Sequence, residues 1–436
     1  MQRFSQNYCL TRKDAQIMKP FWIKRSFAAF PLLLLAAAGC NKNLVPVSSQ
    51  PIKLPSDGEQ VVAAQNEFAL RLFKQTLQND NSDANKLISP LSVYLDLSMV
   101  YNGAAGSTQT ALQQAMQLNG IDTNLLNQTN EALITGLPKE DPAIQLNIAN
   151  SIWYKNRGIQ PLSSFLDITN KYYQSQVTGA DFSPATVTQI NNWVADATHQ
   201  KINSIIQQID PSDIMYLINA IYFKGQWKYS FNPKSTQNNT FYTSTGKQVQ
   251  APFMYQEDTF KYISDNSAQM IELPYGNGDF NMYVILPNEG ISLHQFTGSF
   301  DENTLAGFSP NLKAQKVKLY LPKWKYSYEV NNMIPELSNM GMEVAFSNRA
   351  DFSNMYPAAS GIFINKVIHK TYIAVDEQGT EAAAVTAIGV VATSVGAGSQ
   401  LPVMDVNRPF LYVIAEKNTG AILFIGEVNN PAELSN

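Results

Sequence analysis

Histidine and cysteine most often act as catalytic bases, nucleophiles and metal ligands, and both are rare in this chain. Its 436 residues include three histidines, His199, His294 and His369, which lie far apart in the sequence. No His-Glu-x-x-His pair, Gly-x-Ser-x-Gly turn or glycine-rich phosphate loop occurs. These absences disfavour a hydrolase, a nucleotide-binding enzyme and a metalloenzyme. We therefore expect no catalysis, no cofactor and no metal, and interpret each histidine as a buried, hydrogen-bonded residue.

The stretch from Gly379 to Val403 differs in composition from the rest of the chain. It is rich in Ala, Val, Thr, Ser and Gly, and no charged residue lies between Glu381 and Asp405. Connections of this length within a compact domain are usually functional or disordered. The first part is rich in β-branched residues and contains no proline, which favours a strand. The sequence therefore predicts a strand without a partner, with an ordinary surface loop as the alternative.

The N-terminus carries an export signal. Lys19, Lys24 and Arg25 precede an apolar run over residues 27–38, which is too short for a membrane-spanning helix of about 20 residues. Small residues lead directly to Cys40, so the segment resembles the lipobox of bacterial lipoproteins, in which the cysteine becomes N-terminal and lipidated. We expect a signal over residues 1–39 and a lipid-anchored protein of the bacterial cell envelope, either periplasmic or at the cell surface.

Two features of this N-terminus leave alternatives open. Ala37 stands where a lipobox usually has Leu, so an ordinary signal peptide cut near Gly39 is the second interpretation, and translation could start at Met18. Cleavage before Cys40 would remove Cys9, and no internal disulfide is then expected. Residues 40–57, with three prolines among polar residues, predict a flexible tether to a domain that spans residues 58–436.

Composition and charge indicate a globular domain. Hydrophobic residues make up 44% of the chain, charged residues 15%, and the net charge is -4. These values exclude a disordered chain and disfavour a nucleic-acid partner. The composition does not shift sharply after about residue 58, so we expect one large domain, present as a monomer whose only membrane contact is the lipid anchor.

The apolar pattern predicts helices first and strands later. Helical spacing occurs over Val61–Leu77 and Ser89–Tyr101, and the Ser89-Pro90 pair is expected to cap the second helix. Short β-branched runs predict buried strands, over Ile214–Tyr222, Asn281–Pro287, Lys316–Leu321 and Tyr372–Val375. Because strand and helix do not alternate regularly, the sequence predicts an α+β fold.

Several spaced motifs carry a resemblance to a known family. They are Ile-Ser-Pro-Leu-Ser at 88–92, Asn-Gly-Ala-Ala-Gly-Ser-Thr at 102–108, Ile-Asn-Asn-Trp-Val at 190–194, Leu-Ile-Asn-Ala-Ile-Tyr-Phe-Lys-Gly at 217–225, Val-Asp-Glu-Gln-Gly-Thr-Glu-Ala-Ala-Ala at 375–384, Asn-Arg-Pro-Phe at 407–410 and Phe-Ile-Gly at 424–426. With these motifs in this order, the chain resembles the serpins from about Asn66 to Pro431.

The resemblance implies a serpin fold of three β-sheets and eight or nine helices, with an exposed reactive loop. It also implies suicide inhibition of serine proteases: a protease cuts the loop, and the severed part enters the central sheet as an extra strand while the acyl-enzyme is still attached. With Thr380 facing inward, Ala382, Ala384 and Thr386 face inward too, and Glu381 faces outward. Small leading residues let insertion begin without forcing the sheet open.

The resemblance also implies roles for matched positions. The hinge comprises Glu377, Gly379, Thr380, Glu381, Ala382, Ala383 and Ala384. A shutter cluster that holds the central strands together comprises Ser89, Ser92, Asn219 and His369. A breach at the top of the same sheet comprises Trp227, Lys323 and Glu377, with an ion pair between its lysine and glutamate.

Counting along the hinge with the family's spacing places the reactive bond between Thr393 and Ser394. Cleavage after Ala392, Val391 or Val395 remains open. The loop has no Lys, Arg or aromatic residue. A trypsin-like protease binds a basic side chain of its substrate with a buried carboxylate, and this loop would leave that carboxylate unpaired. The expected partner is an elastase- or subtilisin-like serine protease. The alternatives are a papain-like cysteine protease as target, or a non-inhibitory serpin that acts as a binding protein.

Overall fold

Most of the described helices lie in the first half of the chain, and most of the described strands lie in the second. The computed structural model describes residues 49–156, 160–210, 212–300, 311–357, 361–381 and 401–432. Several predicted site residues lie outside this part of the chain, namely Cys40, Ala382, Ala383, Ala384, Thr393 and Ser394.

Eight α-helices occur in the described residues, in agreement with the eight or nine expected. They are α1 (Gly58–Asn79), α2 (Pro90–Gly103), α3 (Gly106–Ala115), α4 (Thr123–Glu140), α5 (Ser163–Tyr173), α6 (Pro184–Ala197), α7 (Leu293–Ser299) and α8 (Ile334–Leu337). None of the helices in these residues is long and apolar enough to cross a membrane.

A nine-stranded sheet contains most of the later strands, in the order β1-β15-β14-β8-β7-β6-β9-β13, with β5 paired to β6. Its strands are β1 (Lys86–Ile88), β5 (Gln237–Tyr242), β6 (Gln248–Ser264), β7 (Ala268–Tyr275), β8 (Phe280–Pro287), β9 (Lys313–Pro322), β13 (Val403–Asp405), β14 (Phe410–Glu416) and β15 (Ile422–Val428). The 17-residue strand β6 pairs with β5 and β9 along most of its length and with β7 only over Lys261–Ser264. Because β6 pairs with strands on both sides, two of the three expected sheets form one continuous hydrogen-bonded sheet.

The central sheet has six strands in the order β10-β11-β12-β4-β2-β3. They are β2 (Ile144–Lys155), β3 (Gln176–Ala180), β4 (Met215–Gln226), β10 (Trp324–Val330), β11 (Lys366–Asp376) and β12 (Gly379–Thr380). Strand β4 is buried on both faces: Leu217 and Phe223 belong to the main core, whereas Tyr216 and Ile218 pack in a second cluster with α6. This double burial explains the nearly continuous apolar sequence of β4.

The structure confirms the predicted helices and strands and extends most of them by a few residues. One detail of the prediction is wrong: Ser89 occupies the N-cap position of α2, but its hydroxyl donates to the Leu423 carbonyl at 2.8 Å and does not cap the helix. The predicted tether also needs correction at its end. Ile52 and Leu54 pack against the core, and the Gln50 amide donates to the Glu140 carbonyl.

Candidate functional site

The central sheet contains a gap between β11 and β4. These two strands pair in parallel at one end, from Lys366 opposite Tyr216 to His369 opposite Asn219, and the ladder stops there. At the other end, β12 lies between them and pairs antiparallel with both. Between these ends, residues 370–373 and 220–224 have no strand between them in the described part of the chain. The sheet can therefore accept a further strand from the β12 end.

Strand β12 fits between its neighbours because its first residue is a glycine. Gly379 has φ +147°, and a Cβ there would lie 2.1 Å from the Gly225 carbonyl oxygen, which no side chain tolerates. Thr380 follows, buried, with its hydroxyl 2.6 Å from the Tyr275 hydroxyl. The predicted inward direction of Thr380 is thus observed, with Gly379 and Thr380 already paired in the sheet.

Glu381 follows β12, and its amide donates to the Ala374 carbonyl at 2.7 Å. Its φ is +57°, and its side chain is only 8% exposed because it forms an ion pair with Lys201, which lies just beyond α6. Burial and the negative charge of this carboxylate raise the pKa of Tyr222 on β4. Glu381 is on the outward side, as predicted, but it is covered by the α6 connection and does not face solvent.

The predicted breach residues meet beside β12. Lys323 Nζ lies 2.8 Å from Glu377 Oε2, and the Thr236 hydroxyl donates to Glu377 Oε1 at 2.7 Å. Burial raises the pKa of Glu377, but the hydrogen bonds from Lys323 and Thr236 outweigh it and lower the pKa below its ordinary 4.5. Glu377 is therefore held as a carboxylate by Lys323, which follows β9, and by Thr236, which precedes β5.

Trp227 holds the segment directly before β12 through both its ring and its backbone. The indole Nε1 donates to the Asp376 carbonyl at 2.9 Å, and the Trp227 amide donates to the Gln378 carbonyl at 2.8 Å. The ring stacks on Tyr275 with centroids 4.4 Å apart. Since Tyr275 also contacts Thr380, one aromatic stack supports both the turn before the hinge and the first inserted side chain.

Removing the breach lysine is expected to lower stability. In Lys323→Met the Glu377 carboxylate loses its only cation in the described residues, and we expect the free energy of unfolding to fall by about 1 kcal/mol at pH 7. The difference from wild type should shrink as the pH falls below 4.5, because protonation of Glu377 in wild type removes its attraction to Lys323, which the variant already lacks. Urea unfolding at pH 7 and pH 4 measures this, with the exposed Lys247→Met as control; an equal loss at both pH values would contradict it.

The predicted shutter residues meet at the closed end of the gap. His369 is fully buried, and its Nε2 accepts the backbone N–H of Ser89 at 2.9 Å. Since Nε2 is an acceptor, the proton of the neutral ring is on Nδ1, which has no partner in the described residues. Burial lowers the pKa of His369 to about 4. The ring is therefore neutral at physiological pH.

Asn219 connects three elements across this end of the gap. Its Oδ1 accepts from the Ser92 hydroxyl on α2, and its Nδ2 donates to Asn150 Oδ1 on β2 at 2.8 Å. His369 is its parallel neighbour on β11. These four side chains, with Ser89, tie α2 to the strands where they pair directly.

The sequence prediction missed four residues of these clusters: Asn150, Thr236, Tyr275 and the Lys201 partner of Glu381. Asn150 carried a weak signal, since it is a buried amide between the apolar residues Ala149 and Ile152 of β2. The contact between Lys201 and Glu381 spans 180 positions, and no local pattern indicates it. The described residues contain no group of three or more His, Cys, Asp or Glu side chains that could hold a metal.

Comparisons with known proteins agree with this geometry. The family model "Serpin (serine protease inhibitor)" matches residues 63–431. A serpin-like protein of Thermococcus kodakarensis is 29% identical over 94% of this chain and 100% of its own, and neuroserpin of Gallus gallus is 31% identical over 85% and 91%. The native thermophilic serpin tengpin superposes with a TM-score of 0.80 and 33% identity over 88% of this chain and 97% of its own. Human thyroxine-binding globulin, solved with thyroxine, has a TM-score of 0.78 and 28% identity over 86% and 100%.

Proposed function

The chain belongs to the serpin family of serine protease inhibitors, and we propose that it is an inhibitory member that traps its target by inserting its cut loop into the central sheet. It would act as a suicide substrate without catalysing a reaction of its own. The observation that carries this proposal is the position of β12, which already lies between β11 and β4 at the open end of the gap.

The residues that follow β12 suit insertion. Ala382 and Ala384 would be the next inward side chains, and neither needs space that a closed sheet lacks. About a dozen new backbone hydrogen bonds, at roughly 1 kcal/mol each, would stabilise the inserted form by on the order of 10 kcal/mol. This is comparable to the stability of a whole domain, and it is sufficient to drive a large rearrangement.

We assign the two polar clusters opposite parts in this process. Lys323, Glu377 and Trp227 would hold the open end until the loop enters, as a breach. Ser89, Ser92, Asn219 and His369 would hold the closed end until the inserted strand reaches it, as a shutter. Their supporting observations are the ion pair at one end and the buried hydrogen bonds at the other.

The proposed target is an elastase- or subtilisin-like serine protease, which would cut the loop of this chain between Thr393 and Ser394. The support is the loop composition, since small and β-branched residues suit a shallow apolar pocket and a basic bait residue is absent. We further propose that Cys40 carries the lipid and that the inhibitor is held at a bacterial cell envelope as a monomer.

The test is a denaturing gel of the purified protein after mixing with elastase or subtilisin. We expect a band that survives heat and detergent at the summed mass of protease and cut inhibitor, and mass spectrometry of the released fragment gives the cut bond. If a stable complex forms with papain and with neither serine protease, the target class is the cysteine proteases. If no protease forms a stable complex, the proposal is wrong and a binding function, like that of thyroxine-binding globulin, takes its place.

A further inference from the structure

Three Asn-Gly pairs occur in this sequence, and none belongs to the hinge, the breach or the shutter. They are Asn102-Gly103, Asn119-Gly120 and Asn277-Gly278, and all three lie in the described residues. Because glycine has no Cβ, its backbone nitrogen is open to reaction with the side-chain amide of the asparagine before it. The fold treats the two reacting groups differently at each pair, so the three pairs differ in how readily they can react.

The Asn102-Gly103 pair is held by tertiary packing. Gly103 is the last residue of α2, and a Cβ there would lie 2.6 Å from the Met355 side chain. The Asn102 amide donates to the Ser98 carbonyl at 2.8 Å and exchanges hydrogen bonds of 2.9 Å with Asn127. The side chain cannot turn toward the Gly103 nitrogen without breaking these bonds.

The Asn277-Gly278 pair is held through its backbone. Asn277 is exposed, but Gly278 is buried and its N–H donates to the Tyr275 carbonyl at 2.7 Å. The Asn277 amide donates to Asp141 Oδ2 at 2.6 Å, and its carbonyl accepts from Lys228 Nζ at 2.8 Å. An N–H that donates a hydrogen bond is harder to deprotonate, and this one is also fixed in direction.

The Asn119-Gly120 pair has neither restraint. Both residues are exposed in the connection between α3 and α4. In the part of the chain that the structure describes, neither the Asn119 side chain nor the Gly120 N–H makes a hydrogen bond. A Cβ at Gly120 would meet nothing within 4 Å, and the turn is closed by the Ile121 amide, which donates to the Leu118 carbonyl at 3.0 Å. The two reacting groups can therefore approach each other in the folded protein.

We propose that Asn119 is a site of spontaneous modification, at which its side-chain amide becomes a carboxylate through a cyclic imide with Gly120. The Gly120 nitrogen loses its proton and bonds to Asn119 Cγ, while the side-chain nitrogen leaves as ammonia. Water then adds to either carbonyl of the ring, and ring opening gives aspartate or isoaspartate with no oxidant or reductant. The product adds one negative charge close in sequence to Asp122, whose carboxylate caps α4. This inference does not depend on the loop mechanism.

Incubation of the whole folded protein at pH 8 in heavy-oxygen water tests the proposal. The protein is then digested in ordinary water, so that mass spectrometry counts only the modification that occurred during incubation. We expect heavy oxygen in a new carboxyl group at position 119, at a rate at least about tenfold above those at Asn102 and Asn277, because each of these must first lose a hydrogen bond. Equal rates at the three positions, or no heavy oxygen at position 119, would overturn the proposal.

Two controls separate the fold from the local sequence. In urea that unfolds the chain, the protecting contacts are lost, and we expect the three pairs to react at similar rates. If the preference for Asn119 persisted in urea, the folded structure would not be its cause and the assignment would be wrong. Asn119→Gln, which would need a larger ring, should lose the label at this position and keep the melting temperature of wild type, because the side chain is exposed. A label that persisted at this position in the variant would refute the cyclic route.

Discussion

Thr380→Arg is expected to convert the inhibitor into a substrate. Thr380 is 2% exposed, lies opposite Val375 and Gly225, and its hydroxyl meets Tyr275. An arginine there would have to bury its guanidinium without a carboxylate partner, so the hinge would leave the sheet. Insertion would then be slow compared with hydrolysis of the acyl-enzyme. We expect at least about tenfold more inhibitor to be consumed for each protease molecule, which corresponds to a barrier raised by about 1.4 kcal/mol.

The measurement is titration of residual elastase or subtilisin activity, with the same mixtures run on a denaturing gel. Thr380→Arg should give cleaved inhibitor and active protease in place of the stable complex. Thr380→Ser, which keeps the hydroxyl that meets Tyr275, is the matched control and should inhibit nearly as well as wild type. An arginine variant that forms complex as efficiently as wild type would refute strand insertion as the mechanism.

The second large effect is a loss of stability in mild acid. Burial lowers the pKa of His369 from 6.5 to about 4, so the native state favours the neutral ring. The resulting stability is fully present above pH 6.5 and is lost as the pH falls from 6.5 to 4. A shift of this size corresponds to about 3 kcal/mol. Protonation also removes the Nε2 acceptor that receives the Ser89 N–H.

Urea unfolding of wild type and His369→Gln between pH 7 and pH 4 isolates this contribution. Carboxylates also titrate in this range, but they do so in both proteins. At pH 7 the variant should be the less stable one, and we expect its deficit to narrow by about 3 kcal/mol toward pH 4. If the two stability curves stay parallel, His369 does not titrate in the way its burial implies.

The sequence predicted the framework because the framework depends on local pattern. The apolar run of β4 and the helical spacing of α1 were sufficient to place these elements. The two polar clusters were predicted from the family resemblance that the motifs around Ser89 and Glu377 carry. The strand predicted from the β-branched residues 385–391 lies outside the described residues, whereas Gly379 and Thr380, just before it, form β12 and pair with both β11 and β4.

The remainder depends on tertiary contacts that no local pattern contains. β12 pairs with both β11 and β4 because these strands are far enough apart to accept it, and only the folded sheet defines that spacing. Ser89 does not cap its helix because the Leu423 carbonyl, 334 residues away, takes its hydroxyl. The Glu381 side chain is largely covered for a similar reason, since its partner Lys201 belongs to a distant segment.

The seated glycine at position 379 has a kinetic consequence. In the proposed mechanism, a trapped protease would escape if water cleaved the acyl bond before the loop had inserted, so insertion has to be faster than this hydrolysis. Forming the first residue pairs is the slow step of strand addition, because the chain loses conformational entropy before enough hydrogen bonds have formed to compensate for it. Here those pairs exist before the protease arrives. The loop would extend a nucleus that the resting fold has already formed.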